Sequence, residues 1–500
     1  MTGQSVCPTP PRGLRAATEA MLSALPATGW LVLLGVASAI LWAALYLPVG
    51  PRGHLPAAFE ARFAAYPLLF AAYFLACFIA WTRREQLTSA GTTIGVILGA
   101  LAFRLLVLSA PVIENGDNWR YLWEGRVVLE GMNPYAAPPD GPRYAGLRRK
   151  LDRAGDDLFG HLLPSTNSVR SVYGPVATGL FVVPSLLPFD RISTLRVLLT
   201  CFDLGTVLVI MAWLRSLGRP PVLALVYAWN PVCLNAFADR AQIDGAMVFL
   251  LALAGWLACT RRPTWAGVAF GVALLVKVSP LLVALPFIRA GRARFAAPLA
   301  AVLALGAIPF VMAGPGSLSG FGEFAARWHN IDSIHGLVLL ALEPLSRVVD
   351  VAPIARGLVM LAAWVYAIWR TLSGSGLGAQ WLLEACAAIA GAGLLLSPVV
   401  HPWYTTNLVV FLCFAPNAGL LLLPCATMSW FVRFWVPPAG SLARTMLIAG
   451  RGYYEPWRWV AYPPVYALLF WEWWRGRKVR GLRSPSAVER AHLADALAVE

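Results

Sequence analysis

Apolar positions in this chain gather into long runs instead of alternating with polar ones. Runs cover residues 29–49, 63–81, 94–110, 195–214, 245–259, 295–313, 354–369 and 382–396, with further candidates at 221–238, 265–288, 403–423 and 459–474. A helix needs about 20 residues to cross the hydrocarbon core of a bilayer. In lipid the backbone must satisfy its own hydrogen bonds, so helices are the default for such runs. The pattern predicts an all-α polytopic membrane protein with about 11–13 transmembrane helices. Some of these are expected to be broken or re-entrant, because Pro175, Pro184, Pro188, Pro231, Pro280, Pro286, Pro309, Pro398 and Pro402 fall inside or beside the runs.

The same pattern divides the chain into a leader (1–28), three spans (29–110), a long polar loop (111–170), the remaining bundle (171–474) and a basic tail (475–500). The polar loop contains a helix signal of its own. Asn115 and Asp117 suit an N-cap, Gly131 suits the residue after a helix end, and Pro134 follows it. Between them, Trp119, Leu122, Trp123 and Val127 share one face, while Asp117, Arg120, Tyr121 and Glu124 share the other. Such a helix fits the membrane surface as an interfacial helix, and equally fits packing against neighbouring spans.

Composition sharpens this picture. Apolar residues make up 58% of the chain and charged residues 13%, against about 25% charged in a soluble domain. The net charge of +15 comes almost entirely from Arg, since Lys occurs only at Lys150, Lys277 and Lys478. Arg83-Arg84, Arg215/Arg219, Arg261-Arg262, Arg289/Arg292/Arg294 and the tail from Arg475 onward abut apolar runs. That placement reads as membrane topology by the positive-inside rule and not as nucleic-acid binding. Both termini are expected to be cytoplasmic, the leader lacking the compact apolar core and cleavage site of a signal peptide. The third span then delivers the polar loop to the opposite side. Strict alternation of full spans does not place every Arg cluster on one side, so 172–188, 265–288 and 335–349 are expected to be re-entrant or interfacial pieces. The eight Cys are scattered without a CxxC pair and read as packing residues.

Four constellations carry candidate chemistry. Glu114-Asn115-Gly116-Asp117 offers a carboxylate at the outer face, able to act as a general base toward a hydroxyl or as a helix cap. Asp239-Arg240-Ala241-Gln242-Ile243-Asp244 puts three charges in a short connector, more than capping alone requires. Lys277 lies far from either end of its apolar run, where a charge costs a few kcal/mol unless it pairs or faces a polar cavity. Its chemistry is that of a cation for a phosphate oxygen. His401-Pro402-Trp403-Tyr404 sits where two runs meet, a place that suits aromatic residues on structural grounds alone. No P-loop, GxSxG or HExxH motif is present, and the six His show no metal-ligand spacing, so no metal or other cofactor is assigned.

These stretches resemble the bacterial polyprenol-phosphate-mannose-dependent mannosyltransferases, multispan enzymes of the GT-C glycosyltransferase superfamily. The segment Gly116-Asp117-Asn118-Trp119-Arg120-Tyr121-Leu122-Trp123-Glu124-Gly125-Arg126, followed by Gly131-Met132-Asn133-Pro134-Tyr135, resembles their first outer loop. Tyr173-Gly174-Pro175, Trp229-Asn230-Pro231, Gln242-Ile243-Asp244, the Gly-rich stretch 267–280 with Lys277, and His401-Pro402-Trp403-Tyr404 match further elements in order. The similarity spans roughly 87–423. Two departures stand out: the family's paired acidic residues are Gly116-Asp117 here, and its His before Asp is Gln242.

The resemblance implies a GT-C-like bundle and an inverting transfer of a hexose, mannose first, from a polyprenyl-phosphate donor to a lipid or glycan acceptor. It places the protein in a bacterial plasma membrane with the reaction at the outer face. Asp117 is then the expected base. Lys277, Arg120, Arg240 and His401 are expected at the donor phosphate. Glu114, Tyr121, Glu124, Tyr173, Asp244, Trp403 and Tyr404 are expected to line the pocket. A transporter or flippase for lipid-linked sugars and an oligosaccharide ligase are the rival readings. The first calls for a two-fold internal repeat and the second for a late polar loop, and neither feature is visible in the sequence.

Overall fold

The computed structural model describes residues 24–47, 65–111, 115–374, 378–434 and 458–482. The leader before residue 24, Glu114 and the end of the basic tail lie outside the described residues. Among the described residues there is no β-strand, and the one β contact given is an isolated bridge between Asn330 and Val399. Among the described residues, six helices are long and apolar enough to cross a membrane: Ala27–Tyr46, Ala90–Leu108, Arg191–Ser216, Ala293–Ala313, Val351–Leu372 and Ala379–Leu396. Pro221–Ala228 and Pro231–Asp239 form an apolar pair bent by 57°, a broken span or a re-entrant loop, with the bend at the point where Pro231 cannot donate to the helix ladder. Shorter apolar helices complete the bundle, including Tyr66–Thr82, Asp244–Cys259, Pro263–Val276, Leu281–Gly291 and Ala418–Phe431. The chain is a multi-pass all-α membrane protein.

Local sequence sets where these helices begin. Ser89, Asn115, Asp190, Asp350 and Asn417 each accept a hydrogen bond from a backbone N–H of the first turn that follows. The faces are read equally directly on Val351–Leu372. Ala352, Ala355, Arg356, Val359, Ala363 and Ala367 are buried, whereas Leu358, Leu361, Val365 and Trp369 are exposed. Small side chains therefore meet neighbouring helices, and large apolar ones form the outer belt that lipid would cover.

The bundle has two chemically distinct ends. At one, Arg219 donates to the Phe414 carbonyl and to Gln380, and Arg289 donates to the Gly374 carbonyl and lies over the Trp381 ring. At the other, Lys277 meets Asp244, and Arg196 bonds the carbonyls of Val107, Ala110 and Ala238. This arrangement removes the alternation problem posed by the Arg clusters. Residues 265–288, expected as one re-entrant or interfacial piece, are two helices, Pro263–Val276 and Leu281–Gly291, that turn at Lys277 to Pro280. The turn brings Arg289 to the same end as Arg219. Residues 172–188 and 335–349 do form short pieces, such as Pro175–Leu180, Val183–Leu186 and Ile334–Leu342.

Two buried features hold the site end in place. Arg104 and Asp203, both fully buried, pair at 2.7 Å, and Arg104 also donates to the Ala228 carbonyl at the bend. The polar loop, meanwhile, folds over a small core of its own. Leu122, Trp123 and Val127 pack against Tyr144, Leu147, Leu151, Leu158 and Leu162, and Trp119 stacks on His161 with ring centroids 4.1 Å apart. The tryptophan face of Gly116–Leu129 is thus covered mainly by the loop itself, with Ile192 of the span Arg191–Ser216 joining the same cluster. The helix ends at Gly131, φ +70°, with Met132 N–H on the Val127 carbonyl.

The opposite face of this helix lies against the bundle at Gly125. A Cβ there would sit 2.0 Å from the Phe181 carbonyl oxygen, a backbone atom that cannot step aside. Gly125→Ala is expected to destabilise the folded protein by about 1–3 kcal/mol. Gly146→Ala, where a Cβ meets nothing within 4 Å, is expected to leave the thermal unfolding midpoint unchanged or slightly raised.

Candidate active site

The polar loop, the connector before Asp244, the turn at Lys277 and the segment after Ser397 enclose one cavity of about 450 Å³. Asp117, Arg120, Tyr121, Tyr173, Gln242, Lys277, His401, Trp403 and Tyr404 line it. The structure therefore brings together residues from five elements that are far apart in sequence. Among the described lining residues, Asp117 is the only carboxylate.

Asp117 stands in the first turn of Gly116–Leu129, but the cap is Asn115, whose side chain accepts from Asn118 N–H. Capping thus does not account for Asp117. Asn115 and Asn118 both donate to the Arg240 carbonyl, which docks the helix start on the connector. Gln242 then donates to Asp117 Oδ2 at 3.3 Å and accepts from the Tyr121 hydroxyl at 3.1 Å. Tyr121 is itself held flat against Phe181, with ring centroids 4.4 Å apart. A relay of packed groups fixes the plane of the Asp117 carboxylate. Burial raises its pKa above the ordinary carboxylate value, against the opposing pull of Lys277 and of the Gln242 hydrogen bond.

Lys277 breaks its helix: its backbone is extended where Pro263–Val276 ends. The ammonium bonds both oxygens of Asp244, at 2.9 and 2.7 Å, and lies 4.1 Å from the centre of the Tyr404 ring. Asp244 is fully buried behind Lys277 and does not itself line the cavity. His401 is stacked on Trp403, with centroids 4.5 Å apart, and hydrogen-bonds the Asn330 amide at 2.9 Å. Asn330 in turn is anchored through Asn330 N–H to the Pro398 carbonyl and through its own carbonyl to Val400 N–H.

Other expected residues take different places. Arg120 reaches the cavity wall, but its guanidinium is spent on Glu124 at 2.7 Å and on the carbonyls of Thr166 and Val169. Glu124 is buried behind it and also accepts from Ser171 at 2.6 Å. These two brace the loop instead of facing a ligand. Arg240 packs over the Phe431 ring at 4.6 Å and is not among the lining residues. Sequence reasoning passed over Gln242 as a contact of Asp117, Asn330 as a contact of His401, and Arg170 and Arg356 as cavity residues.

Away from these polar groups the cavity wall is apolar. Leu282, Val283, Val359, Met360, Ala363 and Ile389 line it between the helices near residues 282, 360 and 389. Met360 is 57% exposed and Val278 54%, so the cavity opens sideways through the outer surface of the bundle. Its polar end can bind and deprotonate a hydroxyl and stabilise an anion, while its apolar side can take a hydrocarbon chain.

Residues 172–398 match glycosyltransferase family 87. The match supports glycosyl transfer as the function of this membrane protein. The matched segment contributes Tyr173, Gln242, Asp244 and Lys277 to the site, while Asp117 and His401 flank it on either side. No curated protein and no solved structure matches the chain.

Proposed function

We propose that the protein is an inverting GT-C-type hexosyltransferase that moves a sugar, mannose by resemblance, from a polyprenyl-phosphate donor to a lipid or glycan hydroxyl at the outer face of a bacterial plasma membrane. The observation that carries this reading is the cavity itself. One carboxylate and a paired lysine stand at its polar end, and an apolar wall with a lateral opening leads away from them. A lipid-linked sugar phosphate has the same order of chemistry.

In this reading the acceptor oxygen attacks the anomeric carbon as its proton passes to Asp117. The bond from that carbon to the donor phosphate breaks, and the polyprenyl phosphate leaves with the electron pair. A single displacement needs a base but no enzyme nucleophile, and Asp117 supplies that base. Lys277 stabilises charge that develops at the reaction centre, and His401 and Tyr404 shape the sugar pocket. The sequence's departure at Gln242 becomes a difference in how the base is held: a neutral amide takes the place that a His occupies in the resembling family.

The anomeric configuration of the product tests this directly. Inversion relative to the donor is expected by NMR of the isolated product, and retention would overturn the single-displacement reading. The pH profile tests the base. Because burial raises the Asp117 pKa and the carboxylate is the active form, kcat/KM is expected to fall on the acid side at a pH above the usual carboxylate range. Gln242→Leu removes a hydrogen bond to the ionised form, so it is expected to move that acid limb to still higher pH. An unmoved limb would detach Gln242 from the base.

A further inference from the structure

The cavity carries more positive charge than the reading above uses. Among the described residues, four cationic side chains line it, Arg120, Arg170, Lys277 and Arg356, against one carboxylate, Asp117. Two of the four are already matched by buried acids, Lys277 by Asp244 and Arg120 by Glu124. Arg170 lies on the polar loop, with its guanidinium near the carbonyls of Pro315 and Tyr135.

Arg356 differs from these in position. It sits on Val351–Leu372, within a span that is otherwise apolar for most of its length. An Arg inside a span carries a cost of at least a few kcal/mol unless it faces a cavity or a partner, and so usually marks a ligand path. Arg356 is buried, donates to the neutral Ala325 carbonyl at 2.9 Å, and lines the cavity. Val359, Met360 and Ala363, at three, four and seven residues beyond it, line the same cavity, as a single helical face requires. The cation therefore stands at the head of the apolar wall, beside the lateral opening at Met360.

We propose that Arg356 is a principal binding residue for the phosphate of the lipid-linked donor, with the hydrocarbon chain running from it along Val359, Met360 and Ala363. Lys277 serves the same polar end of the cavity beside Asp117. This inference rests on the lipid-phosphate reading of the cavity. Guanidinium is suited to the role because its planar donors bind two phosphate oxygens at once.

The test uses the full chain in lipid nanodiscs and two probes of equal length, a polyprenyl phosphate without sugar and the corresponding polyprenol. The wild type is expected to prefer the phosphate. Arg356→Gln is expected to weaken phosphate binding about 10- to 100-fold, the worth of a charged hydrogen-bonded contact, with polyprenol binding unchanged. Arg356→Lys is expected to recover part of the loss. Unchanged polyprenol binding also shows that the variant remains folded. If the wild type prefers the phosphate and Arg356→Gln binds it equally well, the assignment of Arg356 is overturned and the donor reading stands. If the wild type shows no preference for the phosphate, the donor reading fails and takes this inference with it.

Discussion

Asp117→Asn is expected to lower kcat for sugar transfer by about 100- to 10,000-fold, the usual worth of a positioned general base, with little change in KM. The substitution keeps the size of the side chain and leaves an oxygen to accept from Gln242, so the relay from Tyr121 has no reason to collapse. What it removes is the one lining carboxylate among the described residues. The comparison requires equal protein abundance in the membranes, because Asp117 lies at the start of the helix that docks the polar loop. A loss of less than about tenfold would move the base elsewhere. Glu114, outside the described residues, would be tested next.

Lys277→Met is expected to cost about 3–5 kcal/mol of folding stability, since it leaves Asp244 buried and without its partner. Thermal unfolding of the purified protein in detergent measures this. The double variant Lys277→Met with Asp244→Asn is expected to recover much of the stability, because removing both charges is far cheaper than stranding one. Transfer is expected to stay lost in both. That split separates two roles that a single substitution confounds: holding the turn at residues 277–280, and presenting a cation to the cavity. Recovery of transfer along with stability would reduce Lys277 to a structural residue.

The membrane character was fully legible, because the apolar runs are long and depend on no tertiary information. The helix start at Asn115 was legible, because a polar residue that suits a cap precedes the two-faced segment. The hairpin at Lys277 was legible in part: residues 265–288 read as a re-entrant or interfacial piece, and they are the two short helices Pro263–Val276 and Leu281–Gly291. That each arm is a helix in its own right was hidden, because apolar residues continue on both sides of Lys277 to Pro280. The surroundings of Gly116–Leu129 were hidden for a related reason. Its Trp face is covered by Tyr144, Leu147 and Leu162, whose return depends on the folding of the loop.

At the site, residues with unusual local chemistry could be singled out: an aspartate beside a cap, a lysine inside a run, a histidine between runs. Their convergence required the structure. Asp244 and Glu124 were visible as charges, but their work as buried partners of Lys277 and Arg120 was not. Arg356 carried a readable signal, an arginine inside the apolar run 354–369. Its place near the start of that run gave it the look of the arginines at span ends, where basic residues mean topology. Gln242 was visible as a departure from the resembling family, but its bond to Asp117 was not, and Asn330 gave no signal, since neutral amides gain significance only from what they touch.

In the function proposed for it, this cavity transfers a sugar from a lipid-linked phosphate. The most direct measurement is covalent transfer of radiolabel from polyprenyl-phosphate-mannose in membranes containing the wild-type protein, against membranes that lack it. Label appearing in a new lipid or glycan product only when the protein is present is the predicted result. Donor that is bound, or moved across the membrane, with no labelled product from this or other polyprenyl-phosphate sugars would contradict it.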